Sequence, residues 1–182
     1  MKLIEFYFGS VRNSIISQVK VFVESEFICK SVFDCGVERL FAFHESPKGF
    51  ESLVSADPNV RVIQKPKNIQ PGAVAILKVS PFPFFSWTWI AEHLEYSQNE
   101  RFVDIQKEGP FSFFLHEHLF NSVEQGRSQL EDRIFFEAPI HFLSSSIVLS
   151  LLKKQFLKRH EITAKQLSVS WENLSCGPMN SF

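Results

Sequence analysis

"RFVDIQKEGPFSFFLHEHLF", residues 101–120, is the stretch on which the fold turns. It reads as two β-runs, Arg101–Lys107 and Phe111–Val123, parted by the turn chemistry of "EGP". Side chains two apart in a strand share a face. Phe114, His116, His118 and Phe120 therefore lie together, with Leu115, Glu117 and Leu119 opposite. Two imidazoles stand on a face whose other members call for burial.

The following run, Arg127–Glu137, supplies a partner strand. It sets Leu130, Asp132, Ile134 and Phe136 on one face and Arg133, Phe135 and Glu137 on the other. A hairpin through Gln125-Gly126 that closes with Val123 opposite Arg127 puts Phe120 against Leu130, His118 against Asp132 and His116 against Ile134. A slip of one residue would send every one of these side chains to the other face. This register joins apolar residues to each other and a carboxylate to an imidazole.

Further outward, Val60–Gln64, Ala73–Ser80 and Ser86–Tyr96 are also short β-runs, separated by Pro71-Gly72, "PFPF" and "SQNE". Gln18–Ser31 alternates and reads as a first strand. "DCGVERLFAFHESP" reads as a helix with Asp34 as N-cap and Pro47 as its stop, and "SPKGFESLVS" as a second short helix. From about Phe142 to Ser168, Leu149, Leu152, Phe156, His160, Thr163 and Leu167 recur at helical spacing. The order is strand, two short helices, six strands, one long helix. The expected class is α+β: a curved antiparallel sheet of six to seven strands wrapped around a long C-terminal helix. Residues 18–168 form the domain, 1–17 an N-terminal extension and 169–182 a C-terminal tail without periodicity.

Composition narrows the function. A length of 182 residues suits one domain, and a net charge of −1 gives no basic field for nucleic acid. The apolar inventory is skewed, with 21 Phe against 2 Tyr and 2 Met. Phe offers apolar area without a polar handle, which suits a large core and equally a greasy pocket wall. Cys29, Cys35 and Cys176 have neither framework nor metal spacing and read as reduced. No apolar run reaches the roughly 18 residues of a membrane span. The expectation is a soluble cytoplasmic protein without stable membrane insertion. There is no G-x-S-x-G elbow, no Gly-rich phosphate loop and no Cys–His arrangement.

Several segments together carry a family resemblance. They are "FAFHESPKGFESL" (41–53), "PGAVAILKV" (71–79), the run from Trp87 to Phe120, and "LEDRIFFEAPI" (130–140). With Phe156 and Arg159 of the last helix, they resemble the SRPBCC superfamily, the helix-grip group that includes START lipid-transfer domains, the Bet v 1 pollen-allergen type and polyketide cyclases. The nearest branch is small bacterial ligand-binding proteins. The motif residues are Phe43-His44 then Pro47, Pro71-Gly72, Trp87, Phe102-Val103-Asp104-x-Gln106, Gly109-Pro110, His116-x-His118, and Asp132 with Phe136 and Pro139. Arg127-Ser128 and Ile140-His141 replace a Gly-Thr and a Gly usual in that branch, and the loop after Leu53 lacks its usual Pro. The resemblance implies the helix-grip fold and a cavity between sheet and helix. It implies no reaction.

The expected ligand-binding set is Trp87, Trp89, Phe114, His116, His118, Asp132, Ile134, Phe136, Leu152 and Phe156. The His118–Asp132 pair has a structural reading, in which it satisfies itself and fixes register. It also has a binding reading, in which it orients a ligand's hydroxyl or carbonyl, and an acid–base reading. His44 reads as a charge at a helix C-terminus, Arg159 as half of a structural ion pair, and Asp104 with Gln106 as hydrogen-bonding groups. His116, His118 and Asp132 make a three-ligand set on paper, but an i, i+2 His pair is common in strands, so no metal and no cofactor are expected. The expected function is non-catalytic binding of a small hydrophobic ligand such as a lipid, isoprenoid or polyketide-like aromatic. Two alternatives stand beside it. One is a cyclase or dehydratase using His116, His118 and Asp132. The other is a ligand-free domain acting through an unknown protein partner.

Overall fold

The structure is a computed structural model and describes residues 2–7, 18–23, 25–82, 84–124, 126–138 and 145–179. The chain forms β1 (Lys2–Tyr7), β2 (Gln18–Val23), β3 (Ser25–Phe33), α1 (Val37–Glu45), α2 (Pro47–Val54), β4 (Val60–Gln64) and β5 (Val74–Phe82). It continues through β6 (Phe85–Ser97), β7 (Arg101–Glu108), β8 (Phe113–Glu124), β9 (Arg127–Glu137), α3 (Ser145–Leu167) and β10 (Trp171–Pro178). An eight-stranded antiparallel sheet has the order β10-β3-β9-β8-β7-β6-β5-β4, and β1 and β2 form a separate two-stranded sheet. The α+β helix-grip architecture is the one expected.

Three elements differ from the sequence reading. The first strand is two strands in two sheets, because β2 pairs with β1 while β3 pairs with β9 and β10. Alternation runs through both and hides the break. Lys2–Tyr7, expected to be part of an extension, is the strand β1; the rest of 1–17 lies outside the described residues, as does the motif residue Pro139. The tail supplies β10, the eighth strand, on the edge of the sheet against β3.

Helix starts follow local chemistry, though not wholly as expected. α1 begins at Gly36 with no side-chain cap, and Asp34 instead accepts a hydrogen bond from Arg127 Nε at 2.9 Å. Ser46 caps α2 by accepting from Gly49 N at 2.9 Å, and Pro47 sits where a helix tolerates it best, at the first position. Gly49 is required by a close approach: a Cβ there would stand 1.8 Å from the Phe43 carbonyl oxygen. α3 ends at Ser168 in the left-handed region, φ 53°.

The β8–β9 register is Phe120↔Leu130, His118↔Asp132 and His116↔Ile134, as expected. Glu124, not Val123, closes the hairpin against Arg127 beside a register shift that passes over Val123, with Gly126 at φ +72° in the turn. Of three apolar clusters among the described residues, two lie under helices. Phe27, Phe114, Ile134, Phe136, Leu152 and Phe156 pack under α3. Phe33, Leu40, Phe41, Phe102, Phe120 and Leu130 pack under α1. A polar layer lies at the seam: the His116 ring meets Phe156 edge-on at 5.1 Å, and the His118 ring stacks on Phe102 at 4.0 Å.

Cys29 and Cys176 face each other across β3 and β10 and are disulfide-bonded, with Cα atoms 4.0 Å apart. This corrects the reading of all cysteines as reduced. Only Cys35 is free among the described cysteines, and burial pushes its thiol pKa up. No helix among the described residues is long and apolar enough to cross a membrane.

Candidate functional site

Asp132, on β9, is the centre of the polar layer and is 2% exposed. Its Oδ1 accepts from His116 Nε2 at 2.8 Å and lies 2.9 Å from His118 Nδ1. The second contact has ion-pair distance but poor hydrogen-bond direction, and Nδ1 makes no good hydrogen bond among the described residues. The sequence reading paired Asp132 with His118, its cross-strand neighbour. The better bond goes to His116, because an imidazole reaches diagonally as easily as straight across. Asp132 Oδ2 accepts from His160 Nε2 at 2.7 Å, which brings in α3.

The chain of contacts continues beyond His160. Its Nδ1 lies 2.7 Å from Ser31 Oγ, and Asn173 Nδ2 of β10 donates to the same Oγ at 3.1 Å. That leaves the Ser31 hydroxyl hydrogen for His160 Nδ1. Ser31, His160 and Asp132 thus have the hydroxyl–imidazole–carboxylate order of a nucleophilic triad. Ser31 and His160 are 0% exposed, so no substrate carbonyl reaches the hydroxyl. The arrangement is a satisfied internal network.

On the other side stands Asp104 of β7. Its Oδ2 is 3.4 Å from His118 Nε2 and 3.7 Å from His116 Nδ1. Burial opposes its ionisation, but the hydrogen bond from His118 and the imidazoles beside it hold its carboxyl down at about 2. Asp132 is held well below the usual carboxylate range in the same way: burial opposes, and the hydrogen bond from His116 with the close His118 imidazole prevails. The two neighbouring imidazoles, 3.7 Å between centroids and tilted by 40°, divide the proton unequally. Burial, then repulsion from His118, lowers His116 to about 4. Burial also works against a charged His118, yet the close carboxylates of Asp104 and Asp132 raise its pKa above the ordinary value.

Of the expected ligand set, Phe114, Ile134, Phe136, Leu152 and Phe156 pack on one another beneath α3, and half-buried Trp89 borders that cluster, edge-on to Phe114 at 4.9 Å. His116, His118 and Asp132 form the seam above. Trp87 stands apart: it pairs with Val79, as Trp89 pairs with Leu77, and all four remain half-buried on the concave face of β5 and β6. Gln106 hydrogen-bonds the Phe111 backbone at 2.7 Å, the role expected of it. His44 is corrected. It is 7% exposed, its Nδ1 donates to Leu40 O at 2.8 Å, and burial lowers it to about 3, so it is a neutral core residue rather than a charged cap. Arg159 lies over the Phe156 ring, 5.1 Å from its centroid. Sequence reasoning gave no central role to Ser31, Asn173, His93 or Asp104. Only Asp104 left a signal, sharing a face with Gln106 one strand away from the His pair.

The sequence matches no family model and no curated protein. Solved structures do match. Ara h 8.0201 superposes with a TM-score of 0.59 at 13% identity, over 79% of this chain and 97% of that one. Norcoclaurine synthase from Thalictrum flavum, in complex with dopamine and hydroxybenzaldehyde, gives 0.58 at 10% identity over 79% and 86%. A conserved protein from Geobacillus kaustophilus gives 0.58 at 9% identity over 81% and 99%. Identities this low speak for the fold alone. With the sheet order and the long helix α3, they show that this chain has a helix-grip fold similar to that of Ara h 8.0201 and norcoclaurine synthase.

Proposed function

We propose that the chain binds a small apolar molecule, aromatic or isoprenoid in size, without transforming it. The carrying observation is the half-buried apolar strip of Leu77, Val79, Trp87 and Trp89 on the concave face. α3 packs on β3 and β10, at the far side of the sheet from this strip. Two indoles beside aliphatic side chains suit a flat apolar ligand. The fold supports the reading, since norcoclaurine synthase from Thalictrum flavum holds two small aromatic molecules. The histidines support its non-catalytic part: His116 and His118 are each 4% exposed and turned toward carboxylates, so neither offers a free base to a substrate proton. This weighs against the cyclase or dehydratase alternative.

One observation favours a second reading, a domain that acts through a protein partner. The space under α3 is filled by the chain's own Phe27, Phe114, Phe136 and Phe156, while Phe84 and Phe85 are exposed at the β5–β6 tip. A cytoplasmic location remains part of the proposal, tested by cell fractionation. The Cys29–Cys176 bond weighs against it, because such bonds persist in oxidising compartments.

The test is native mass spectrometry with extraction of any co-purifying molecule, then titration of apolar aromatic probes against tryptophan fluorescence. The proposal expects a one-to-one complex weakened at least tenfold by Trp87→Ala. Probes that do not bind, or that bind Trp87→Ala equally well, would overturn it and favour the partner reading.

A further inference from the structure

The polar seam has a second property, independent of the apolar strip. Asp104 Oδ2, His116 Nδ1 and His118 Nε2 converge, all three atoms lying within 4.8 Å of one another. Donor atoms that share one ion at about 2.1 Å stand about 3.0–3.6 Å apart. The two imidazole nitrogens are 3.7 and 3.4 Å from the Asp104 oxygen, so little movement is needed. We propose that Asp104, His116 and His118 bind a divalent first-row transition metal ion, such as zinc, on the concave face of β7 and β8.

Three features of the surroundings support the assignment. The first is the far nitrogen of each imidazole. His116 Nε2 is 2.8 Å and His118 Nδ1 2.9 Å from the same Asp132 oxygen. A metal-bound histidine ordinarily gives its other N–H to a carboxylate, which fixes the tautomer and aims the lone pair at the ion. Here a single buried carboxylate does this for His116 and stands at ion-pair distance from the far nitrogen of His118, and His160 in turn fixes that carboxylate at 2.7 Å. A self-satisfied pair would need only one of these partners.

The second feature is access. The Asp104 side chain is 17% exposed whereas the Asp132 side chain is 3% exposed, so the donor side is the one open to solvent. The third is His93, which lies opposite Asp104 in the β6–β7 register. Its Nδ1 is sealed from solvent and has no hydrogen-bond partner among the described residues. A buried imidazole nitrogen with nothing to bond is rare, and it offers a spare donor beside Asp104, outside the three converging atoms.

Imidazole and carboxylate donors together suit zinc, iron, cobalt or nickel better than calcium or magnesium. The set differs from the one composed on paper from sequence: Asp132 orients the ligands, and Asp104 takes its place as a ligand. On binding, the ion replaces the Nε2 proton of His118, which leaves to solvent. The apolar strip and its ligand are unaffected by whether this inference holds.

The experiment uses the full chain freed of metal with a chelator, titrated with Zn²⁺ against a chromophoric competitor and with Co²⁺ by visible absorption. The expected result is one ion per chain, with a Co²⁺ spectrum of nitrogen and oxygen ligation at low coordination number. Asp104→Asn, a partly exposed substitution that keeps shape, is expected to weaken Zn²⁺ at least tenfold while circular dichroism stays unchanged. His118→Gln is expected to do the same, and Asp132→Asn, if folded, to cost about 10–100-fold as an outer-shell change. Absence of a stoichiometric ion, or equal affinity in wild type, Asp104→Asn and His118→Gln, would overturn the proposal and leave the seam a structural network.

Discussion

The concave face has two halves built from the same residue types and finished differently. Toward β3, β9 and β10, α3 lies on the sheet, and Phe27, Ile134 and Phe136 are wholly buried. Toward β5 and β6, Leu77, Val79, Trp87 and Trp89 keep part of their surface in water. Apolar content does not distinguish the halves. What differs is the long helix: a strand face becomes core where a second layer covers it, and stays available where none does. Stability should therefore reside in one half and recognition in the other.

The largest expected effect tests the closed half. Phe136→Ala removes a fully buried ring and should cost about 3–5 kcal/mol in chemical denaturation. A loss under about 1 kcal/mol would mean that the half is not packed as described. Next comes the paired Cys29→Ser and Cys176→Ser variant, which frees the edge strand β10. It should cost about 2–5 kcal/mol, because the bridge closes a loop with a sequence separation of 147. An unchanged midpoint under oxidising conditions would show that the bridge does not hold that half.

The pH dependence of stability gives a smaller, graded effect. His44 titrates at about 3 in the folded chain against 6.5 when unfolded. The unfolded chain thus binds the extra proton between those values. The contribution is complete above pH 6.5 and is lost as pH falls toward 3, at up to about 1.4 kcal/mol per pH unit. His44→Gln keeps a donor for the Leu40 carbonyl and should flatten the acid limb of a stability-versus-pH curve by that slope. Identical curves would refute the neutral core assignment. The smallest stability effect belongs to the open half: Trp87→Ala should change the denaturation midpoint little, by less than about 1 kcal/mol. A core-sized loss there would erase the contrast between the halves.

The closed half was also the easier one to read from sequence. β8 and β9 alternate cleanly and are joined by a short turn with Gly126, so pattern and turn length agree on one register. His160 announced itself by standing on the apolar stripe of α3. Asp104 was harder, because the loop between β7 and β8 is too long to fix how they pair, and its proximity to His116 and His118 depends on that pairing. β10 left almost no trace. It is an edge strand with Glu172, Asn173 and Leu174 exposed and a register shift at Asn173–Ser175, so its alternation is broken. The partner of Cys29 had no local signal at all, since only the folded sheet brings β10 beside β3. His44 shows the limit of positional reasoning: its place at a helix end suggested charge, while the packing of Phe43 and Phe120 around its ring excludes it.

The Cys29–Cys176 bond has a topological consequence. It turns everything from the middle of β3 to the middle of β10, including all three helices and the whole meander, into one covalent ring. A single cut in any hairpin loop inside that ring opens the circle without releasing a fragment. A nicked chain would keep its full mass until a reductant is added, and only then part in two.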